Sequence, residues 1–151
     1  MRALSVLLSF GLAGCAAHMT VRSGEDAVAE VNAATAAWVA AYNTRDPARI
    51  VALYDRDAVL WGTTAPVIRK SPEAIADYFK DAGKRPNAKV AVVEENVRVV
   101  GDAAVSSGAY TFSDVVDGKE NARPSRYSFV YRYRDGKWMI VHHHSSRMPT
   151  P

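Results

Sequence analysis

Near the C-terminus, Asp135-Gly136 stands between two runs of aromatic, β-branched and polar residues, 126–134 and 137–146. A two-residue hairpin turn needs φ > 0, which Gly adopts freely and Asp tolerates. The pair therefore predicts an antiparallel hairpin. Side chains alternate between faces along each strand. Tyr127, Phe129, Tyr131 and Tyr133 share one face, and Arg126, Ser128, Val130 and Arg132 share the other. On the return strand Ile140, His142 and His144 go together, and Val141, His143 and Ser145 oppose them. One face of such a hairpin can build a core. The other gathers Arg, Ser and His, which suits the lining of a cavity.

Two more strands are expected upstream, at 89–100 and 103–116. Gly101-Asp102 and Asp117-Gly118 supply turns, so four strands follow one another as an antiparallel meander. A shorter strand is expected at 58–61, ended by Gly62. Three helices are read in the first half. In residues 24–43, Val28, Val31, Thr35, Trp38 and Tyr42 recur at spacings of 3, 4, 3 and 4, one helical face. Asp46 caps a short helix that Pro47 starts, with Ile50, Leu53 and Tyr54 on its apolar side. Ser71-Pro72 opens a third, running to about Ala82 and burying Ile75, Tyr78 and Phe79. Helices followed by a long curling sheet make an α+β fold, with the helices packed on one face of a curved antiparallel sheet. A conical pocket is expected between them. One domain, residues 24–149, accounts for the chain at this length.

The start of the chain reads differently. Met1-Arg2 is basic, residues 3–12 are apolar, and Leu12-Ala13-Gly14-Cys15 follows. An apolar run this short does not span a bilayer, where ~20 residues are needed. It fits a signal peptide. The ending resembles the bacterial lipoprotein box, which implies lipidation of Cys15, a tether over 16–23, and a domain anchored to a membrane of the bacterial cell envelope, on its periplasmic side. An ordinary secretory signal with an incidental cysteine is the alternative. The 19 basic and 16 acidic residues are interspersed, for a net charge of +3. No basic face gathers, so nucleic acid is not an expected partner.

The words within this order carry a family resemblance. Trp38-Val-Ala-Ala-Tyr-Asn43, Asp46-Pro-Ala-Arg-Ile-Val-Ala-Leu-Tyr54 and Asp57-Ala58-Val59 resemble the opening helices and first strand of the nuclear transport factor 2-like superfamily. Arg98-Val-Val-Gly-Asp-Ala-Ala104, Asp135-Gly-Lys-Trp138, Val141-His-His-His-Ser-Ser146 and Met148-Pro149 resemble the association domain of calcium/calmodulin-dependent protein kinase II, and the small bacterial SgcJ/EcaC-type (SnoaL-like) proteins built on it. The resemblance implies a cone-shaped fold, self-association as a homodimer or higher ring, and an arginine-lined pocket that takes a small anion. It implies no kinase activity, since the chain has no Gly-rich loop, His-Arg-Asp or Asp-Phe-Gly. The ketosteroid isomerases of the superfamily use a helix tyrosine and a strand-end aspartate. Those positions fall here on Trp38 and Gly62, neither of which can transfer a proton at carbon.

The expected ligand set is Arg126 with His144, Ser128 and Tyr110, over a floor of Trp38, Trp61 and Tyr42. A guanidinium in an apolar cone would be satisfied by a bidentate anion. The competing reading leaves Arg126 on the open face in water. With Arg126 in the pocket, Tyr127, Tyr131 and Tyr133 on the opposite face would be exterior and form the interface. His142 and His144 have the i, i+2 spacing that lets two imidazoles reach one zinc. Two ligands do not make a site, so no metal and no cofactor is expected. His144-Ser145 lacks a nucleophile elbow. The function expected is a small-anion-binding or self-association domain. The alternative is a small enzyme of the SnoaL-like class, with His144 or another polar pocket residue as acid/base.

Overall fold

A computed structural model describes residues 24–150. The expected signal peptide, Cys15 and the tether lie outside the described residues. Helix α1, Glu25–Asn43, is followed by α2, Pro47–Val51, strand β1, Tyr54–Trp61, and helix α3, Pro72–Lys84. Then come β2, Lys89–Val100, β3, Ala103–Val116, β4, Lys119–Arg134, and β5, Lys137–Arg147. Two of the three helix starts, those of α2 and α3, carry side-chain caps. Asp46 accepts from the Ala48 N–H at 2.9 Å and Ser71 from the Ala74 N–H at 3.3 Å, each just before a proline.

The five strands form one open sheet in the order β1-β5-β4-β3-β2. From β2 to β5 it is the expected antiparallel meander. Asp117-Gly118 and Asp135-Gly136 both have positive φ at each residue, as two-residue hairpin turns need. The sheet is mixed rather than antiparallel throughout, because β1 lies parallel to β5 at its edge. β1 also begins four residues earlier than expected: Tyr54 belongs to the strand, not to α2. Its phenol is drawn into the core by hydrogen bonds described below.

Every helix packs on one sheet face, so that face builds the core. Val31, Thr35, Trp38 and Tyr42 of α1 are buried, as the helical spacing predicts. Opposite them lie Ala104, Tyr110, Tyr127, Phe129 and Tyr131. Tyr127 and Tyr131 are therefore interior, not exterior as expected. The two faces of the hairpin are assigned the other way round. The aromatic side carries far more apolar area, and burying it against the helices gains more than exposing it. Tyr133 is half-buried against Trp138, with ring centroids 5.2 Å apart.

A bulge changes the phase of β5. Val130 pairs with His142 but Tyr131 pairs with Ile140, leaving Val141 unmatched. Ile140 and His143 consequently both point inward, and Ile140 does not share a face with His142 and His144. A second bulge leaves Val93 of β2 unmatched. It brings the Glu94 carbonyl so close to Gly108 that a Cβ there would sit 1.9 Å away. Gly108→Ala is expected to lower stability by about 2 kcal/mol, as forced overpacking does. Denaturant unfolding measures it, and a loss below about 0.5 kcal/mol would show that the bulge relaxes.

Candidate functional site

Between the inner sheet face and helices α1 and α3 lies a cavity of about 120 Å³. Its walls are aromatic. Trp38 stacks on Tyr110, centroids 6.0 Å apart and planes within 13°, and Tyr110 stacks on Tyr127 at 4.8 Å. Phe79 and Phe129 meet Trp38 edge-on. Such pairs hold the rings in one arrangement, so the cavity has a fixed shape.

The floor holds a chain of hydrogen bonds centred on His143, which is 2% exposed. The Trp38 indole Nε1–H donates to the Tyr54 hydroxyl at 3.0 Å. The same hydroxyl shares a hydrogen bond with His143 Nδ1 at 2.7 Å. On the other side of the ring, His143 Nε2 shares a hydrogen bond with the Tyr110 hydroxyl at 3.4 Å. Ser145, also buried on the inner face of β5, bonds Thr63 just beyond β1. Burial, reinforced by the charges of His142 and His144, pushes His143 down from 6.5 to about 3. The imidazole is neutral at ordinary pH. Burial also raises Tyr54 and Tyr110, and pushes Tyr42 up to about 12. The floor is uncharged throughout.

The mouth is cationic. Arg123 and Arg147 follow Ser125 and Ser145 by strand alternation, and Arg85 ends α3. All three line the cavity. Arg123 Nη1 donates to Asp114 at 2.8 Å, where Asn121 also donates at 2.9 Å, and Arg85 stands 3.7 Å from the same carboxylate. The Arg123 hydrogen bond holds the Asp114 carboxyl below its usual range. Arg147 has no ion-pair or hydrogen-bond partner among the described residues. Asp81, also at the mouth, is bonded by Lys84. A positive excess remains where solvent meets the cavity.

Of the expected ligand set, Trp38, Tyr42 and Tyr110 line the cavity. Arg126, Ser128, His144 and Trp61 lie on the outer face of the sheet and do not. The register sets Trp61, His144 and Ser128 in one row across the strands, and Arg126 beside Ser146. Arg126 is exposed and donates to Ser146 at 3.0 Å. Their mutual phase is the one expected; the side of the sheet is the opposite one. Once the aromatic face is inside, the same alternation puts Arg123, Ser125, His143, Ser145 and Arg147 inside with it. That parity was the available signal. Arg85, in an irregular helix end, gave none. His142 and His144 share the outer face, and no group of three metal-binding side chains occurs among the described residues.

His143 makes stability depend on pH. Its folded value lies below the unfolded one, so the unfolded chain takes up the proton first and stability falls as pH drops below about 6.5, levelling near 3. Between pH 7 and pH 5 the loss is expected to be about 2 kcal/mol. Asp114, held low by Arg123, does not titrate in that window. Urea unfolding at the two pH values tests this, with His143→Gln expected to flatten the dependence. An equal slope in the variant would assign the titration to another group.

The architecture recurs widely. A ketosteroid isomerase-like protein from Erwinia carotovora atroseptica superposes with a TM-score of 0.69 at 20% identity, over 84% of this chain and all of that one (100%). An NTF2-like protein with a cystatin-like fold from Novosphingobium aromaticivorans gives 0.75 at 16% identity, covering 83% of this chain and 84% of the other. These likenesses establish the nuclear transport factor 2-like fold. A Xanthomonas campestris structure given as a calcium/calmodulin dependent protein kinase II association domain is nearer in sequence, with 37% identity, 89% of this chain and 99% of that one covered, and a TM-score of 0.77. No sequence among the curated proteins matches. The sequence model of the association domain matches residues 27–149, nearly the whole described chain, and the chain belongs to the calcium/calmodulin dependent protein kinase II association domain family.

Proposed function

We propose that this chain is a self-associating domain whose cavity binds a small organic anion, held at the cell envelope by a lipid on Cys15. The observation that carries the anion reading is Arg147. Its guanidinium lines the cavity with no partner among the described residues, beside Arg123 and Arg85, which share Asp114. An arginine so placed matches a carboxylate or phosphate with two parallel hydrogen bonds. Size narrows the class. A cavity of about 150 Å³ admits one benzene, and drug-sized ligands need roughly 300 Å³ or more. At about 120 Å³ this one suits a molecule of few carbons and is too small for a steroid.

Self-association is what the family name describes. The surface that suits it here is the outer sheet face, where Trp61 is 47% and Val105 42% exposed. Val130 and Val59 continue the same rows. A second copy laid on this face would cover side chains that water solvates poorly.

Thermal unfolding of residues 24–151 against small carboxylates and inorganic phosphate tests the anion site. A ligand at ~100 times its dissociation constant should add about 2.7 kcal/mol. Arg147→Ala should abolish that gain with the fold kept, and equal gains in both proteins would remove Arg147 from the site. For assembly, Val105→Arg should lower the mass seen by sedimentation; an unchanged mass would move the interface off this face.

A further inference from the structure

A groove of about 430 Å³ lies between α1 and the β4–β5 hairpin and shares no lining residue with the arginine-mouthed cavity. One wall is Ala33, Ala34 and Ala37 of α1, and the other is Tyr133, Trp138 and Ile140. The aromatic wall is fixed. Trp138 meets Tyr133 edge-on at 5.2 Å, and its indole N–H donates to Glu30 of α1 at 3.0 Å. That bond ties the two walls together at the end nearer the start of α1. Alanines facing large rings are too short to close the space between them. An apolar occupant would release the water that lies against both walls.

The start of α1 indicates the occupant. Gly24 enters the helix at φ 99° and ψ −169°, a region essentially restricted to glycine. A Cβ there would meet nothing within 4 Å, so the glycine answers to the backbone and not to packing. The direction of the chain ahead of α1 is thus set at this residue. Residues 16–23, Ala-Ala-His-Met-Thr-Val-Arg-Ser, lie outside the described residues. Their length fits the groove. Gly24 to Ala37 is about 20 Å along the helix axis, and six extended residues cover the same ~20 Å. Their pattern fits as well. In an extended segment Ala17, Met19 and Val21 would face one way and His18, Thr20 and Arg22 the other. Folded back beside α1, such a segment would bring Val21 level with Glu30 and Met19 level with Ala34. Lys137 rims the hairpin side, so the cation of the segment belongs on the α1 side. Arg22 would there be within reach of the acidic first turns, Glu25, Asp26 and Glu30.

We infer that the groove is the seat of the chain's own residues 16–23, running back along α1 with Met19 and Val21 between the alanines and Trp138. The same segment of a second copy has the same chemistry. The chain's own segment is joined to the end of the groove, and so short a connection holds it there at millimolar effective concentration. The seat does not depend on whether Cys15 carries a lipid.

Residues 16–151 keep the whole described domain and contain no cysteine. In that chain Met19→Cys/Ala37→Cys should form an intramolecular disulfide about tenfold faster than Met19→Cys/Ala36→Cys, because a loose segment would reach both positions alike. Ala36 and Ala37 are both exposed, and of the two Ala37 lines the groove. Equal rates would overturn the inference. A disulfide joining two chains, seen as a doubled mass without reductant, would also overturn it and give the groove to a second copy. Trypsin supplies a readout without cysteines. Cleavage after Arg22 should be about tenfold faster in Ala37→Trp, whose indole fills the groove, than in the unaltered chain, since proteolysis follows the population of the open form. Equal cleavage of the two would overturn the inference.

Discussion

One indole N–H sets much of this molecule. Trp38 is fully buried among Tyr42, Phe79, Tyr110, Phe129 and His143. An indole proton in such a place must find an acceptor, or cost the desolvation of an unmade bond. The Tyr54 hydroxyl provides it. That ties the start of β1 to α1, and the same hydroxyl bonds His143 Nδ1 of β5 at 2.7 Å. Parallel pairing of β1 with β5, with Leu60 beside His143, is the backbone counterpart of the same contacts. Fold and site are joined at this point. Side chains that close the core, Trp38, Tyr42, Phe79 and Tyr110, also line the cavity.

The elements were legible in the sequence because their signals are local. Asp-Gly turns, Pro after a capping residue, and the stripe from Val31 to Tyr42 each specify a conformation without reference to the rest of the chain. The site was less legible because it depends on a sign. Alternation correctly grouped Arg126 with Ser128 and His144, and Tyr127 with Phe129 and Tyr131, but it does not state which group faces the helices. Apolar area does. Weighing four aromatic side chains against two arginines, a serine and a valine gives the observed choice, and with it Arg123 and His143 as cavity residues. The bulge at Val141 is different in kind. It arises where β5 pairs with β4 on one side and β1 on the other, and no residue in Ile140-Val141-His142 announces it.

Gly62 shows how one position can direct the cavity toward holding a molecule. In the isomerase pattern a base stands at the end of this strand. Here a Cβ would lie 2.3 Å from the Tyr78 ring of α3, so the ring occupies the volume that a side chain would need. Tyr78 is received there by the Thr64 hydroxyl at 3.4 Å and packs edge-on against Phe79 at 5.1 Å. The space given up by the glycine is filled by a phenol that lines the cavity beside Thr63. Replacing Trp38 by a tyrosine would not restore the isomerase arrangement, because the missing base and the intruding ring are the same feature seen from two elements. What remains is a small aromatic chamber with fixed donors inside and guanidiniums outside. Its walls are apolar with a few polar groups, the usual composition of a small-molecule pocket.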